Sequence, residues 1–267
     1  MIPKIIHYVW VGGAKKPKLV LDCIESWKKF CPDYEIKEWG DKELAQINNK
    51  YANEALAARK FAFASDVMRL YALKYYGGLY MDSDLLVTAP LDKFLDNHFF
   101  TGFEKWHNSA PSPLTALMGA QKDNPVICGL LAQYEGLSFI KANGEPDMTT
   151  NVARTKKYFL KKFGLKKYDG TKTLTLSDKN LIYPYYFFCV PQAGKENYAI
   201  HLFNGSWVGA WERKTRLTIG RLKVVSFKQL RPGEPCPLLS GERLLFKLPL
   251  RPKGRKNIAF TWKGKKL

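Results

Sequence analysis

Two aspartates one residue apart, Asp82 and Asp84, stand between the apolar triplets Leu79-Tyr80-Met81 and Leu85-Leu86-Val87. Apolar runs of that length, bounded upstream by Gly77-Gly78, read as short buried strands. Carboxylates set beside a core need compensating partners, so this pair constrains the fold around it. In an extended chain residues i and i+2 point to one side, and both carboxylates are expected to face a single site. The strand before them puts that site at a carboxyl end, where open α/β sheets bind ligands. Hard carboxylate oxygens suit Mg²⁺ or Mn²⁺, the cations that also grip a diphosphate. Bound there, such a cation would neutralise charge on a departing phosphate group. An Asp-x-Asp pair alone is common on solvated turns; the flanking apolar residues are what set this one apart.

The helix expected just upstream extends the constellation. From about Glu54 to Tyr76 the chain has a helical rhythm with one break, and Phe63, Val67, Leu70 and Leu73 form an apolar stripe that Gly77-Gly78 terminates. Asp66 and Arg69, three apart, share a helix face with Ser65 nearby. A surface salt bridge explains that pair equally well in isolation. Beside two carboxylates, the same face can bind sugar hydroxyls and a phosphate.

Elsewhere strands and helices alternate. Ile2 to Val11 reads as a buried strand, Lys18 to Phe30 as a helix, Tyr34 to Trp39 as a strand, Leu114 to Gln121 as a strand and Pro125 to Tyr134 as a helix. Leu181 to Val190 reads as an aromatic-rich strand, and Ala199 to Leu202 as another. This order predicts an α/β fold with a central, mostly parallel sheet flanked by helices. Trp10, in an apolar strand, and His201, after another, both read by themselves as core residues. His7, Glu104 and Asp147 are further polar candidates near strand ends, and none is assigned as a catalytic base.

Five widely spaced cysteines without a Cys-x-x-Cys pair argue against a zinc site and a disulfide framework. The first apolar run lacks the basic lead-in and cleavage site of a secretory signal, and no run reaches the ~20 apolar residues of a membrane span. A cytoplasmic location is expected, peripheral on the inner face of the membrane. The formal net charge of +19 is uneven. Residues 211–267 hold 16 Lys/Arg against three Glu, or +13, and the remaining chain 27 basic against 21 acidic, or +6. Two domains are therefore expected, a catalytic one over 1–210 and a basic C-terminal segment over 211–267, broken by prolines and membrane-associating. Basic charge also suggests nucleic-acid binding, but no nucleic-acid-binding motif accompanies it, and no nucleic-acid partner is expected. A glycoside hydrolase needs carboxylates on opposite sides of a glycosidic bond, and Asp82 and Asp84 are too close along one strand for that.

Three separated segments resemble glycosyltransferase family 32, which includes capsular and lipopolysaccharide sugar transferases, Och1-type mannosyltransferases and, through a similar core, clostridial glucosylating toxins. They are Ala64 to Leu73 continued by Tyr76 to Asp84, the opening Ile2 to Gly12, and His201 through Ser206-Trp207. The resemblance implies a GT-A fold and a retaining transfer of a hexose or N-acetylhexosamine from a nucleotide diphosphate sugar, UDP-hexose being favoured. The acceptor it implies is a glycan or lipid-linked saccharide in surface polysaccharide assembly; a toxin-like effector glycosylating a protein is the alternative. It also implies roles. Trp10 would stack on the base and the main chain at Val9 would bond it. Ser65, Asp66 and Arg69 would contact donor sugar and phosphate, and Asp82 ribose, sugar or metal. Asp84 would ligate the metal, His201 or Ser206 would complete its shell, and Trp207 would close over the diphosphate. Residues of roughly 100–195 show no such match.

Overall fold

The computed structural model describes residues 1–105, 110–166 and 168–204, and beyond them the backbone of four strands within 211–263. The chain divides into two compact units, Met1–Phe203 and Asn204–Leu267.

The first unit is built on a seven-stranded mixed sheet. Its strands are β1 (Ile5–Val9), β2 (Glu35–Trp39), β3 (Gly78–Met81), β5 (Phe99–Glu104), β6 (Ser112–Ala120), β7 (Leu174–Ser177) and β8 (Asn180–Tyr183), in the spatial order β2-β1-β3-β6-β5-β8-β7. The expected parallel character holds over β2–β1–β3 and at β5–β8. The β6 strand runs antiparallel to both its neighbours, and β7 antiparallel to β8. Two short strands, β4 (Leu85–Val87) and β9 (Ala199–His201), pair antiparallel apart from this sheet.

Helices cover both faces. On one lie α3 (Lys50–Ala57), α4 (Phe61–Tyr76), α5 (Pro125–Ala132) and α6 (Asn151–Phe163); on the other, α1 (Lys18–Phe30). Alternation along the strands separates two apolar clusters. Tyr80, Phe99 and Phe103 join the α4 side, while Ile6, Leu79, Met81 and Phe100 join the α1 side around Trp27. A short helix, α2 (Asp41–Ile47), follows β2.

Two local breaks differ from the sequence reading. Leu181 to Val190 is not one strand: β8 ends at Tyr183, and Pro184 leads into α7 (Tyr185–Phe188). Proline's fixed φ and missing N–H stop the ladder, and burial of Phe188 against Phe94 and Phe100 rewards the turn inward. Nor are Asp82 and Asp84 on one extended chain. The Leu85 N–H donates to the Asp82 carbonyl at 3.0 Å, closing a tight turn between β3 and β4.

The Gly77-Gly78 stop behaves as the sequence implies, for steric as well as conformational reasons. Both residues have positive φ, and a Cβ at Gly78 would lie 2.6 Å from the Ile5 carbonyl oxygen. That close approach lets β3 enter directly beside β1 from the end of α4.

Within the second unit β10 (Trp211–Ile219), β11 (Leu222–Gln229), β12 (Glu242–Pro249) and β13 (Lys256–Lys263) form an antiparallel sheet in the order β10-β11-β13-β12. The prolines expected to leave this segment irregular fall largely between the strands. Among the described residues no helix is long and apolar enough to cross a membrane.

Candidate active site

The site begins at a buried guanidinium. Most of α4 is enclosed, and Asp66 and Arg69 are only 6% and 4% exposed, which excludes the surface-pair reading. A charge so placed must be paired and fully hydrogen-bonded. Arg69 meets both conditions: its guanidinium lies 3.1 Å from Asp66 Oδ1 and 3.1 Å from Asp82 Oδ1. It also donates to the Thr115 carbonyl at 2.9 Å, and to the Ser65 carbonyl at 3.3 Å and Oγ at 3.1 Å. The Tyr80 ring lies 4.6 Å from Arg69 Cζ, and the Tyr80 hydroxyl donates to Asp82 Oδ1 at 2.8 Å. Arg69 thus ties α4 to the turn that carries the paired aspartates. Burial pushes the Asp66 carboxyl up to about 7, against the pull of Arg69 and with a further push from Asp82.

The turn itself is held from three sides. The Asp82 N–H donates to the Ala116 carbonyl on β6 at 2.8 Å. Behind β4, Trp27 Nε1 donates to the Leu85 carbonyl at 2.7 Å, and the Val87 N–H donates to Ser26 Oγ at 3.0 Å. Both of those side chains come from α1. On the third side β9 runs antiparallel to β4 with His201 opposite Leu85, and the Leu202 N–H donates to the Asp84 carbonyl at 3.0 Å. A residue 117 positions away in sequence is thereby delivered to the aspartate turn.

Asp82, Asp84 and His201 each present one ligand atom within 4.8 Å of the others. Donors at ~2.0–2.2 Å from a small divalent cation need about that spread, and two carboxylates with one imidazole suit Mg²⁺ or Mn²⁺. His201 Nε2 lies 3.5 Å from Asp84 Oδ1, and Nδ1 lies 3.8 Å from Glu104 Oε2. Nδ1 is also a buried polar atom without a hydrogen-bond partner among the described residues. Burial works against a charged imidazole, but the Asp84 and Asp82 carboxylates outweigh it and raise His201 to about 10. The ring therefore serves as the local counter-charge, and a cation entering the site would take over that task. This donor set fits a divalent metal.

Glu104, at the end of β5, is the residue that sequence reasoning noticed and passed over. Its carboxyl is raised by burial, opposed by His201 and reinforced by Asp82 and Asp84, so it belongs electrostatically to the cluster. Its position at a strand's carboxyl end was the available signal. Thr115 and the Tyr80 hydroxyl gave none, because their roles depend on where β6 and α4 meet.

Val9 and Trp10 lie at the end of β1. Continued by two residues, the His7–Tyr80 register brings Val9 level with Asp82 just past the end of β3. The Trp10 N–H donates to the Trp39 carbonyl at 2.9 Å, its indole N–H donates to the Ala14 carbonyl at 2.6 Å, and the ring is partly buried. The structure brings both residues to the end of the sheet that carries the aspartate turn. His7 is structural: its Nδ1 accepts from Trp39 Nε1 at 3.0 Å and its Nε2–H donates to the Gly77 carbonyl at 2.8 Å. Asp147 lies before α6 and pairs with Arg154. Ser206 and Trp207 lie outside the described residues.

Residues 17–101 match the family described as "Glycosyltransferase sugar-binding region containing DXD motif". The matched segment runs from α1 to β5 and contains Ser65, Asp66, Arg69, Asp82 and Asp84. The likeness supports glycosyltransferase activity. One relative carries the same word in its name, and another is named as a mannosyltransferase. A protein of Acanthamoeba polyphaga mimivirus, named as an uncharacterized glycosyltransferase, is 24% identical over 217 residues, covering 78% of this chain and 84% of that one. Inositol phosphoceramide mannosyltransferase 3 of Schizosaccharomyces pombe is 27% identical over 147 residues, 52% of this chain and 38% of its own length. The chain thus spans most of the viral relative but well under half of the yeast one. Among solved structures, the PaToxG glycosyltransferase superposes with a TM-score of 0.45 at 20% identity, over 61% of this chain and 70% of that one.

Proposed function

We propose that the first unit is a metal-dependent, retaining glycosyltransferase of the GT-A, family 32 type. In this reading it moves a hexose from a nucleotide diphosphate sugar, UDP-linked by preference, to a glycan or lipid-linked saccharide. The observation that carries the reading is the joining of two functions at one sheet edge. Asp82, Asp84 and His201 converge within 4.8 Å, and Arg69 links Asp82 to the buried Asp66. Asp82, Asp84 and His201 would hold Mn²⁺ or Mg²⁺, which when bound supplies Lewis-acid stabilisation of a leaving diphosphate.

The chain's own groups do the positioning. Arg69 fixes the Asp82 carboxylate toward the metal side, while Asp66 offers an acceptor oxygen to a sugar hydroxyl. Trp10, at the end of β1, is the stacking surface for the base, with the Val9 main chain beside it. Among the described residues no side chain stands out as a general base, and a same-face transfer assisted by the leaving diphosphate requires none. Catalysis then rests on orientation and charge stabilisation. The +13 charge of residues 211–267 supports a peripheral attachment to an anionic membrane, where a lipid-linked acceptor would be found.

The decisive experiment measures Mn²⁺ binding and donor turnover together, over a panel of UDP- and GDP-sugars. Asp84→Asn should abolish Mn²⁺ binding and lower turnover by orders of magnitude while leaving the melting temperature of the metal-free protein nearly unchanged. Full turnover of Asp84→Asn, or of the native chain in excess chelator, sinks the metal-centred reading.

A further inference from the structure

One carboxylate at the aspartate turn has no task in the chemistry above. Glu104 closes β5, and its placement follows from the alternation of that strand. Phe100 packs on the α1 side with Leu85, Val87 and Ala199, and Glu104, four residues further along, shares that face. The β4–β9 pair lies on the same side, so the end of β5 meets the end of β9, and Glu104 Oε2 comes to 3.8 Å from His201 Nδ1. The two side chains are only 18% and 11% exposed. A carboxylate enclosed beside two others is unfavourable unless a positive group compensates it. Asp82 and Asp84 both repel Glu104, and His201 is the group that attracts it.

The two ring nitrogens of His201 have different neighbours. Nε2 lies 3.5 Å from Asp84 Oδ1, on the side of the aspartate pair, and Nδ1 faces Glu104. A neutral imidazole has one N–H and one lone pair, so a ring that ligates a cation through Nε2 keeps its proton on Nδ1. That nitrogen is buried and lacks a hydrogen-bond partner among the described residues. The Glu104 carboxylate is the acceptor within reach. Its distance of 3.8 Å exceeds an ordinary N–H···O bond by ~0.9 Å, a gap that rotation about the Glu104 side-chain torsions can close. Glu104 does not itself belong to the group of three whose ligand atoms lie within 4.8 Å of one another. Its place is behind the imidazole, where an outer carboxylate fixes the tautomer and orientation of a ligating ring.

We propose that Glu104 is a positioning residue for the cation: it accepts the Nδ1–H of His201, fixes the tautomer that turns the Nε2 lone pair to the metal, and acts through that ring alone. This role rests on the glycosyltransferase reading through the metal site only. The test measures Mn²⁺ dissociation constants by electron paramagnetic resonance of the free ion, with and without UDP, and melting temperatures without metal to confirm folding. Glu104→Leu should weaken Mn²⁺ binding ~10–100-fold, the usual loss when such an outer partner is removed. Glu104→Gln discards the charge but keeps an acceptor oxygen, and should bind Mn²⁺ within about fivefold of the native chain. In a His201→Ala background, Glu104→Leu should add no more than about a twofold loss, because the ring it acts through is gone. Glu104→Ala serves if Glu104→Leu fails to fold. Equal losses in Glu104→Gln and Glu104→Leu would reduce the effect to charge and overturn the proposal. Native affinity in Glu104→Leu overturns it too, as does an undiminished loss in the His201→Ala background, which would make Glu104 a direct ligand. A native chain that binds no Mn²⁺ under either condition overturns the metal-centred reading as well.

Discussion

Arg69 shows how much of the site depends on one residue. Its guanidinium compensates two carboxylates from different elements and bonds two backbone carbonyls. Removing one partner of a buried ionic network typically costs ~3–5 kcal/mol, because the remaining charges are left uncompensated. Arg69→Met should therefore destabilise the chain by about that amount in urea denaturation. Arg69→Met combined with Asp66→Asn should recover part of the loss, since it removes one of the stranded carboxylates. An additive loss in the double variant would show that Arg69 acts through packing alone. The pairing of Asp66 with Arg69 was legible from their spacing. Its burial was not, because α4 is enclosed by residues far away in sequence.

At the scale of elements, β1, β2 and the end of α4 are locked by His7. The ring accepts from Trp39 on β2 and donates to the carbonyl of Gly77, and burial lowers its pKa from the ordinary value of 6.5 to about 4. Folded His7 stays neutral where the unfolded chain takes up a proton. Stability from this residue is complete above pH 6.5 and drains away as pH falls to about 4. The loss amounts to about 3 kcal/mol at ~1.4 kcal/mol per pH unit. His7→Gln keeps one donor and one acceptor but does not titrate. The difference in unfolding free energy between the native chain and His7→Gln should shrink by that amount between pH 7 and pH 4; a constant difference would refute the assignment. Elements with strong periodicity, such as α1 and the stripe of α4, were read correctly from sequence. The missed helix α2 has little apolar content beyond Leu44 and Ile47, and α7 hides within an aromatic run whose β propensity loses to burial of Phe188.

For the whole molecule, the separation into units at Phe203 and Asn204 bears on the membrane proposal. Basic residues near an anionic leaflet contribute ~1 kcal/mol each. The intact chain should sediment with phosphatidylserine vesicles at low salt and be released at high salt. A chain ending at Ala210, which removes the second sheet whole instead of leaving β11 without its partner β13, should remain in solution. Equal binding of both chains, or binding of neither, would make the basic sheet a structural appendage.

Local order is legible in the chain alone: where α1 and α4 run, why α4 stops at Gly77-Gly78, and that two aspartates follow a buried strand. These follow from periodicity, backbone freedom and the cost of burying charge, all of which act over a few neighbouring residues. That the aspartates converge through a turn and not through the pleat of one strand follows from the assembled fold. It alone brought His201 of β9 to the aspartate turn and set Glu104 within 3.8 Å of its ring. Those placements depend on strand pairing and helix packing between segments that can lie more than a hundred residues apart. No local pattern specifies them, because their free energy is realised only when the sheet is assembled.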